Sequence, residues 1–196
     1  MKSLLHEKLF SVRYYEVGPS RLVRPATLLD YLQDAAAEHA SLLHIGVQDL
    51  HHRDLTWVLS RLHLTVERYP GVGETVTVRT WPSTRGSLSS YREFEVLDQA
   101  GEIVARATTA WVVLDLVRRR PVRLADVLSD YPLEPRRAIA DDFLRFRDDT
   151  PAFYANPVCA WVGDVAFLAS VYCPVSAVLV LDITWDFHIA HGLSAA

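Results

Sequence analysis

The sequence predicts an α+β fold in which one long helix is wrapped by an antiparallel sheet. Three observations carry that expectation. A single amphipathic helical stretch lies between residues 25 and 46. Four strand-like stretches follow it, joined by short, turn-rich connections. The chain has 196 residues, 50% of them hydrophobic and 22% charged, which suits one well-filled core and excludes a mostly disordered or fibrous protein. A helix followed only by strands must bury its apolar stripe against that sheet.

The elements follow in order. Leu9–Val17 (LFSVRYYEV) is rich in β-branched and aromatic residues and reads as a strand, ended by Gly18-Pro19-Ser20. In the helix, Leu28, Leu32, Ala35, Ala36, His39 and Leu43 recur at helical spacing and share one face. Thr27 followed three residues later by Asp30 fits a capping box, and Gly46 fits a helix stop. Three consecutive alanines, Ala35 to Ala37, let the helix lie close to a sheet while filling little volume.

Thr56–Tyr69 then alternates. Val58, Leu62, Leu64 and Val66 fall on one side, and Trp57, Arg61, His63 and Glu67 on the other. Pro70 to Gly73 turns the chain into a second strand, Glu74–Trp81, with Val76 and Val78 inward. Pro82 to Gly86 reads as a loop and Leu88–Leu97 as a third strand. Asp98-Gln99-Ala100-Gly101 reads as a hairpin turn with Gly101 at positive φ. Ile103–Leu116 is nearly continuous in apolar residues, the pattern of a strand buried on both faces. A long helix followed by an antiparallel meander that curls around it is the hot-dog arrangement.

Charge divides the chain. All 20 basic residues and 19 of the 24 acidic ones lie at or before Arg147; the remaining stretch holds five Asp and no cation. Surfaces of soluble domains normally mix both signs, so a boundary is expected near Phe143–Asp149. The net charge of −4 excludes the basic excess usual for nucleic-acid binding. The first residues, MKSLLHEK, lack a long apolar segment, so no secretory signal is expected. Two cysteines without a CxxC pattern suit free thiols in a reducing compartment, and the expected location is cytoplasmic.

Five blocks now come together: RYYEV at 13–17, LLDYLQDAAAEHA at 28–40, WVLSRL at 57–62, VERYPGVGETVTVRTWP at 66–82 and ARATTAWVVLDLVRRRPVRL at 105–124. In order and spacing they resemble the first half of bacterial acyl-ACP thioesterases, over residues 9–142. The resemblance implies an N-terminal hot-dog domain at 1–142. Residues 143–196 would be a truncated or divergent remnant of a second hot-dog, or sequence read out of frame.

Family members hydrolyse the thioester between a fatty acyl chain and the phosphopantetheine arm of acyl carrier protein, in fatty acid biosynthesis. Their first hot-dog contributes much of the acyl cavity. The second carries the catalytic residues on a D-x-N-x-H-V-N-N type motif. No such motif follows residue 142: Asn156-Pro157 and His188-Ile189-Ala190-His191 lack the spacing. No catalytic residue is therefore assigned. The alternative implied by the missing motif is a non-catalytic hot-dog that binds an acyl chain or its carrier.

Trp57, Arg61 and Trp111 are assigned to the acyl cavity or its mouth, competing with plain core packing for the tryptophans. Thr27 to Leu29 could offer N–H groups at a helix N-terminus. Asp34, Glu38 and His39 form a weaker catalytic set; the plain reading of Asp30 is a cap and of His39 an interior histidine. His51-His52-Arg53-Asp54 reads as a solvated loop rather than a metal site. His188 and His191 lack a third ligand, and Cys159 and Cys173 read as buried thiols. No metal or organic cofactor is required.

Arg118, Arg119, Arg120 and Arg123 form the densest basic cluster, either a solvated strand end or a steering surface for the acidic carrier. Val165–Leu181 is 17 residues without charge. It is short for a membrane span, interrupted by Pro174, and could instead supply strands to the core. Open sheet edges predict a homodimer.

Overall fold

The computed structural model describes residues 4–141, together with the backbone of 154–162, 165–172 and 178–182. Strand β1 (His6–Ser11) is followed by a 3-10 turn (Tyr14–Glu16), helix α1 (Pro25–Leu42) and a short helix α2 (Val47–His51). Four long strands come next: β2 (Leu55–Val66), β3 (Thr75–Arg85), β4 (Ser89–Leu97) and β5 (Ile103–Asp115). A two-residue strand β6 (Arg120–Pro121) and one helical turn, α3 (Leu124–Val127), follow. The C-terminal segments supply β7 (Tyr154–Val162), β8 (Val165–Tyr172) and β9 (Val178–Asp182).

The sheet runs β1-β3-β4-β5-β2-β9-β8-β7, with β6 on the end of β5, and its pairs are antiparallel. The expected simple meander is thus corrected. β2 pairs with β5, not with β3, and the turn at Pro70–Gly73 carries the chain across to the far side of the sheet. The crossing wraps the sheet around α1. The anticipated face of α1 is buried: Leu28, Ala35 and Leu43 are fully inaccessible, and Leu32, Ala36 and His39 nearly so. It packs on Leu62, Leu64, Val76, Val78, Phe94 and Val96 of the sheet. A second cluster joins Leu43, Ile45 and Leu50 to Val113 and Leu124 beyond the end of α1.

Several local expectations are replaced. The first strand stops at Ser11, because Glu16 accepts from the Arg13 amide (2.7 Å) and closes a turn. Tyr31 of α1 also donates to Glu16 (2.7 Å), which ties that turn to the helix. No capping box forms at Thr27 and Asp30. Arg24 is the N-cap, Pro25 opens the helix, and the Thr27 hydroxyl donates to the Glu16 carbonyl (3.2 Å). Gly46 does not end α1 but begins α2, its amide donating to Asp49 (2.8 Å). A Cβ there would sit 2.8 Å from Ser41 Oγ and 3.2 Å from the Ser41 backbone, so the close approach of α1 and α2 favours glycine.

Pro82 lies inside β3 rather than in a loop, at a bulge where the ladder skips a residue and a missing N–H is tolerated. Gly101 has the expected positive φ, +83°.

A bulge in β2 has the largest consequence. Leu59 pairs with Trp111 and Arg61 with Ala110, so Ser60 is an extra residue. An inserted residue reverses which face the side chains take. Leu55, Trp57 and Leu59 therefore join Leu62, Leu64 and Val66 on the face toward α1, while Val58, Arg61 and His63 point to the opposite face. The expected grouping of Val58 with Leu62, and of Trp57 with Arg61, is reversed by this one residue.

The opposite face is not bare. Residues 132–141 run across it: Trp81 donates through Nε1 to the Arg136 carbonyl (2.7 Å), and the Glu134 amide donates to Pro82 O (2.9 Å). The uncharged stretch from Val165 forms strands that extend the sheet beyond β2, in line with the strand-supplying alternative. No helix among the described residues is long and apolar enough to cross a membrane. The expected boundary at Phe143–Asp149, and Cys173, His188 and His191, lie outside the described residues; for Cys159, in β7, only the backbone is described.

Candidate functional site

The small side chains of α1 leave a gap. Gln33, Ala36, Ala37 and Ala40 recur at i, i+3, i+4 and i+7, one stripe of the helix. With Ile45 and Val47 they form one wall of a cavity of about 90 Å³. The facing wall comes from the sheet, through Trp57, Pro82, Ser90, Arg92 and Trp111, and is completed by Tyr131. Ala37 and Val47 are exposed, so the cavity opens on the helical side, with the sheet as its floor.

The indole and hydroxyl groups of the wall are tied back. Trp57 donates through Nε1 to the Ile45 carbonyl (2.7 Å), leaving its ring for the cavity. Trp111 donates through Nε1 to Thr109 Oγ1 (2.9 Å), which in turn donates to the Arg92 carbonyl (2.9 Å). The hydroxyls of Ser90 and Tyr131 bond each other at 3.0 Å, and burial pushes the Tyr131 phenol up from its ordinary value. Such anchoring fixes ring orientation and keeps hydrogen-bonding groups out of the apolar space.

Arg92 differs from the rest. It is 7% exposed and sits on β4 among Ser90, Phe94 and Val96, the side chains that face α1. One of its nitrogens, Nη1, donates to Thr80 Oγ1 and to His39 Nδ1, both at 3.2 Å. Burial pushes its pKa down to about 10, still well above neutrality. His39 lies behind it, 1% exposed and stacked on His6 with centroids 5.5 Å apart.

Of the residues expected at the site, Trp57 and Trp111 are brought together in one cavity wall. Arg61 is not: the bulge turns it to the other face of the sheet. Asp34 and Glu38 point away from His39 and share Lys8 at the surface (3.0 and 2.7 Å), so the three do not form a set. His51 to Asp54 are exposed at the end of α2, and no group of side chains among the described residues could hold a metal ion. Arg119, Arg120 and Arg123 are exposed beside the β5–β6 turn, while Arg118 pairs with Asp115 (2.8 Å).

Sequence reasoning missed Gln33, Ser90, Arg92 and Tyr131. For Arg92 a signal existed, since its parity in β4 is that of Phe94 and Val96. Among the described lining residues there is no carboxylate, histidine or cysteine. The lining is mostly apolar, and its polar members are Gln33, Ser90, Arg92 and Tyr131.

Comparison with known proteins gives this geometry a context. Residues 3–131 match the acyl-ACP thioesterase N-terminal domain family. The chain is 35% identical over 148 residues to a chloroplastic dodecanoyl-[acyl-carrier-protein] hydrolase of Cinnamomum camphora, covering 72% of this chain and 37% of that one. It is 32% identical to a chloroplastic palmitoyl-acyl carrier protein thioesterase of Cuphea hookeriana, covering 72% and 34%. The chain thus spans little more than a third of the length of these relatives.

A 12:0-ACP thioesterase structure from Umbellularia californica superposes with a TM-score of 0.61 at 30% identity, covering 79% of this chain and 64% of that one. An acyl-ACP thioesterase structure from Bacteroides thetaiotaomicron superposes at 0.59 with 24% identity, covering 79% and 61%, and speaks for the fold alone.

Proposed function

Since this chain belongs to the acyl-ACP thioesterase family and carries its N-terminal domain, we propose that the protein hydrolyses fatty acyl thioesters of acyl carrier protein. In that reaction water adds to the acyl carbon, the carbon–sulfur bond breaks, and the carrier leaves as a thiol. The part taken by the domain described here is to hold the acyl chain. The observation that carries this reading is the apolar cavity between the alanine stripe of α1 and the sheet. Its size limits what it encloses. A cavity of about 150 Å³ takes one benzene, so about 90 Å³ receives only part of a long chain, and the remainder lies along the open side past Ala37 and Val47.

The exposed arginines at 119, 120 and 123 suit an acidic carrier, by speeding encounter more than by adding affinity. Two copies of the chain pair in this reading. β1 is an edge strand with Leu9 71% exposed, and Val117 is 74% exposed beside the basic cluster. A mass that stays monomeric as concentration rises would remove the pairing.

The main reading is tested by measuring the thiol released from acyl carrier protein loaded with acyl chains of graded length. Release above background, varying with chain length, is expected. Release at background for every length removes the hydrolase reading for this chain. Binding without release would leave it a holder of acyl chains.

A further inference from the structure

The reading of the cavity as an acyl site leaves one feature unexplained: a cation in its floor. A guanidinium carries five N–H donors and is almost never buried without an anionic partner. Arg92 is more than nine-tenths buried, yet its bonds go to a hydroxyl and an imidazole nitrogen, both through Nη1. Among the described residues no carboxylate pairs with it; Asp34 and Glu38 of α1 pair outward with Lys8, and Glu93 and Glu95 of the same strand pair with arginines on the other face of the sheet. Removing a charge from water without a counter-charge carries a desolvation cost. The fold tolerates that cost at the wall of a cavity that is mostly apolar.

We propose that Arg92 makes this cavity a binding site for a carboxylate attached to an alkyl chain. The carboxylate accepts from the guanidinium edge that His39 and Thr80 leave unused, and the methylenes lie along Ala36, Ala40 and the two tryptophans. His39 and Thr80 hold the guanidinium in place, so little ordering is required when the ligand arrives. Two sources supply that chemistry: the head of a free fatty acid, or the far end of an acyl chain that carries a second carboxyl. The first would make the domain retain a hydrolysis product; the second would make it select an unusual acyl group. The inference rests on the acyl-site reading but is separable from it.

Calorimetric titration of the full chain with decanoate and with decanol, which share an alkyl chain and differ in charge, tests the inference. Decanoate is expected to bind roughly 10–100-fold more tightly, the range for hydrogen bonds to charged groups. Arg92→Met should abolish that difference, whatever its effect on decanol affinity itself, and Arg92→Lys should restore part of it. Because the first comparison uses the unmodified protein, it does not depend on either variant folding. A thioester of decanedioic acid with pantetheine, whose only carboxylate is distal, separates the sources. Tighter binding than the decanoyl thioester assigns the site to a distal carboxyl; equal binding, with decanoate still favoured, assigns it to the free-acid head. Equal affinity for decanoate and decanol overturns the inference and leaves the acyl site standing. Binding of neither overturns both.

Discussion

Glu93 is fully inaccessible and yet well supplied. Its carboxylate accepts from Ser83 Oγ (2.8 Å), Thr108 Oγ1 (3.0 Å) and the Ala138 amide (3.0 Å), and Arg137 Nε lies 2.8 Å away. Removing one member of a buried ion pair strands the other. Glu93→Ala is therefore expected to destabilise the fold by about 3–5 kcal/mol, read as a lower urea midpoint at unchanged slope.

Surface pairs behave differently. Glu74 is held below its ordinary value of 4.5 by the Arg68 guanidinium (2.8 Å) and then by the Gly71 amide. A carboxylate lowered on folding stabilises the fold above its unfolded pKa, and that contribution fades as pH falls through the folded value. Both side chains are 40% exposed or more, so Glu74→Gln should cost at most about 1 kcal/mol at pH 7. The difference from the parent should shrink as pH falls below 4.5 and through the folded value, and a difference that does not change on acidification would refute the assignment.

At the scale of elements, α1 was legible because a regular helix preserves its period. Leu28 to Leu43 faced the core as their spacing required. The same regularity makes Ala40 a clean probe. Leucine is nearly as good a helix former as alanine, and its side chain at this position enters the cavity. Ala40→Leu should shift thiol release toward shorter acyl chains, with release from the longest falling at least about tenfold relative to the shortest. The thermal midpoint should move by no more than a few degrees. Loss of activity at all lengths alike would contradict a role in chain length.

β2 was less legible. Alternation was correct on each side of Ser60 but changed sign across it, so Trp57 joined Trp111 and parted from Arg61. Nothing in the residue type of Ser60 announces that. It follows from pairing with β5, fifty residues away, where the Ser60 hydroxyl donates to the Ala110 carbonyl (3.0 Å).

At the scale of the molecule, the sheet is covered on both faces by different means. One face receives α1. The other receives residues 132–141, where Arg136 stacks over Trp81 with its guanidinium carbon 3.9 Å from the ring centroid and pairs with Glu95, and Arg137 reaches Glu93. The matched family domain ends at residue 131, before this segment. A chain ending at 131 should therefore be less stable than one ending at 141 by at least about 3 kcal/mol, since buried Glu93 would lose Arg137 and Glu95 would be left with Arg79 alone. Equal urea midpoints for the two would show that the crossing segment adds nothing.

The sequence by itself determined the helix, its buried face, the four strands that follow it and the family, because each is written in short-range periodicity or in contiguous blocks. The tertiary structure alone decided that β2 lies beside β5, that the chain at 132–141 closes the back of the sheet, and that Arg92 rather than Arg61 is the cation at the cavity. These depend on which strands meet and on one inserted residue in a ladder. Both are settled by contacts between distant segments, which local patterns do not encode.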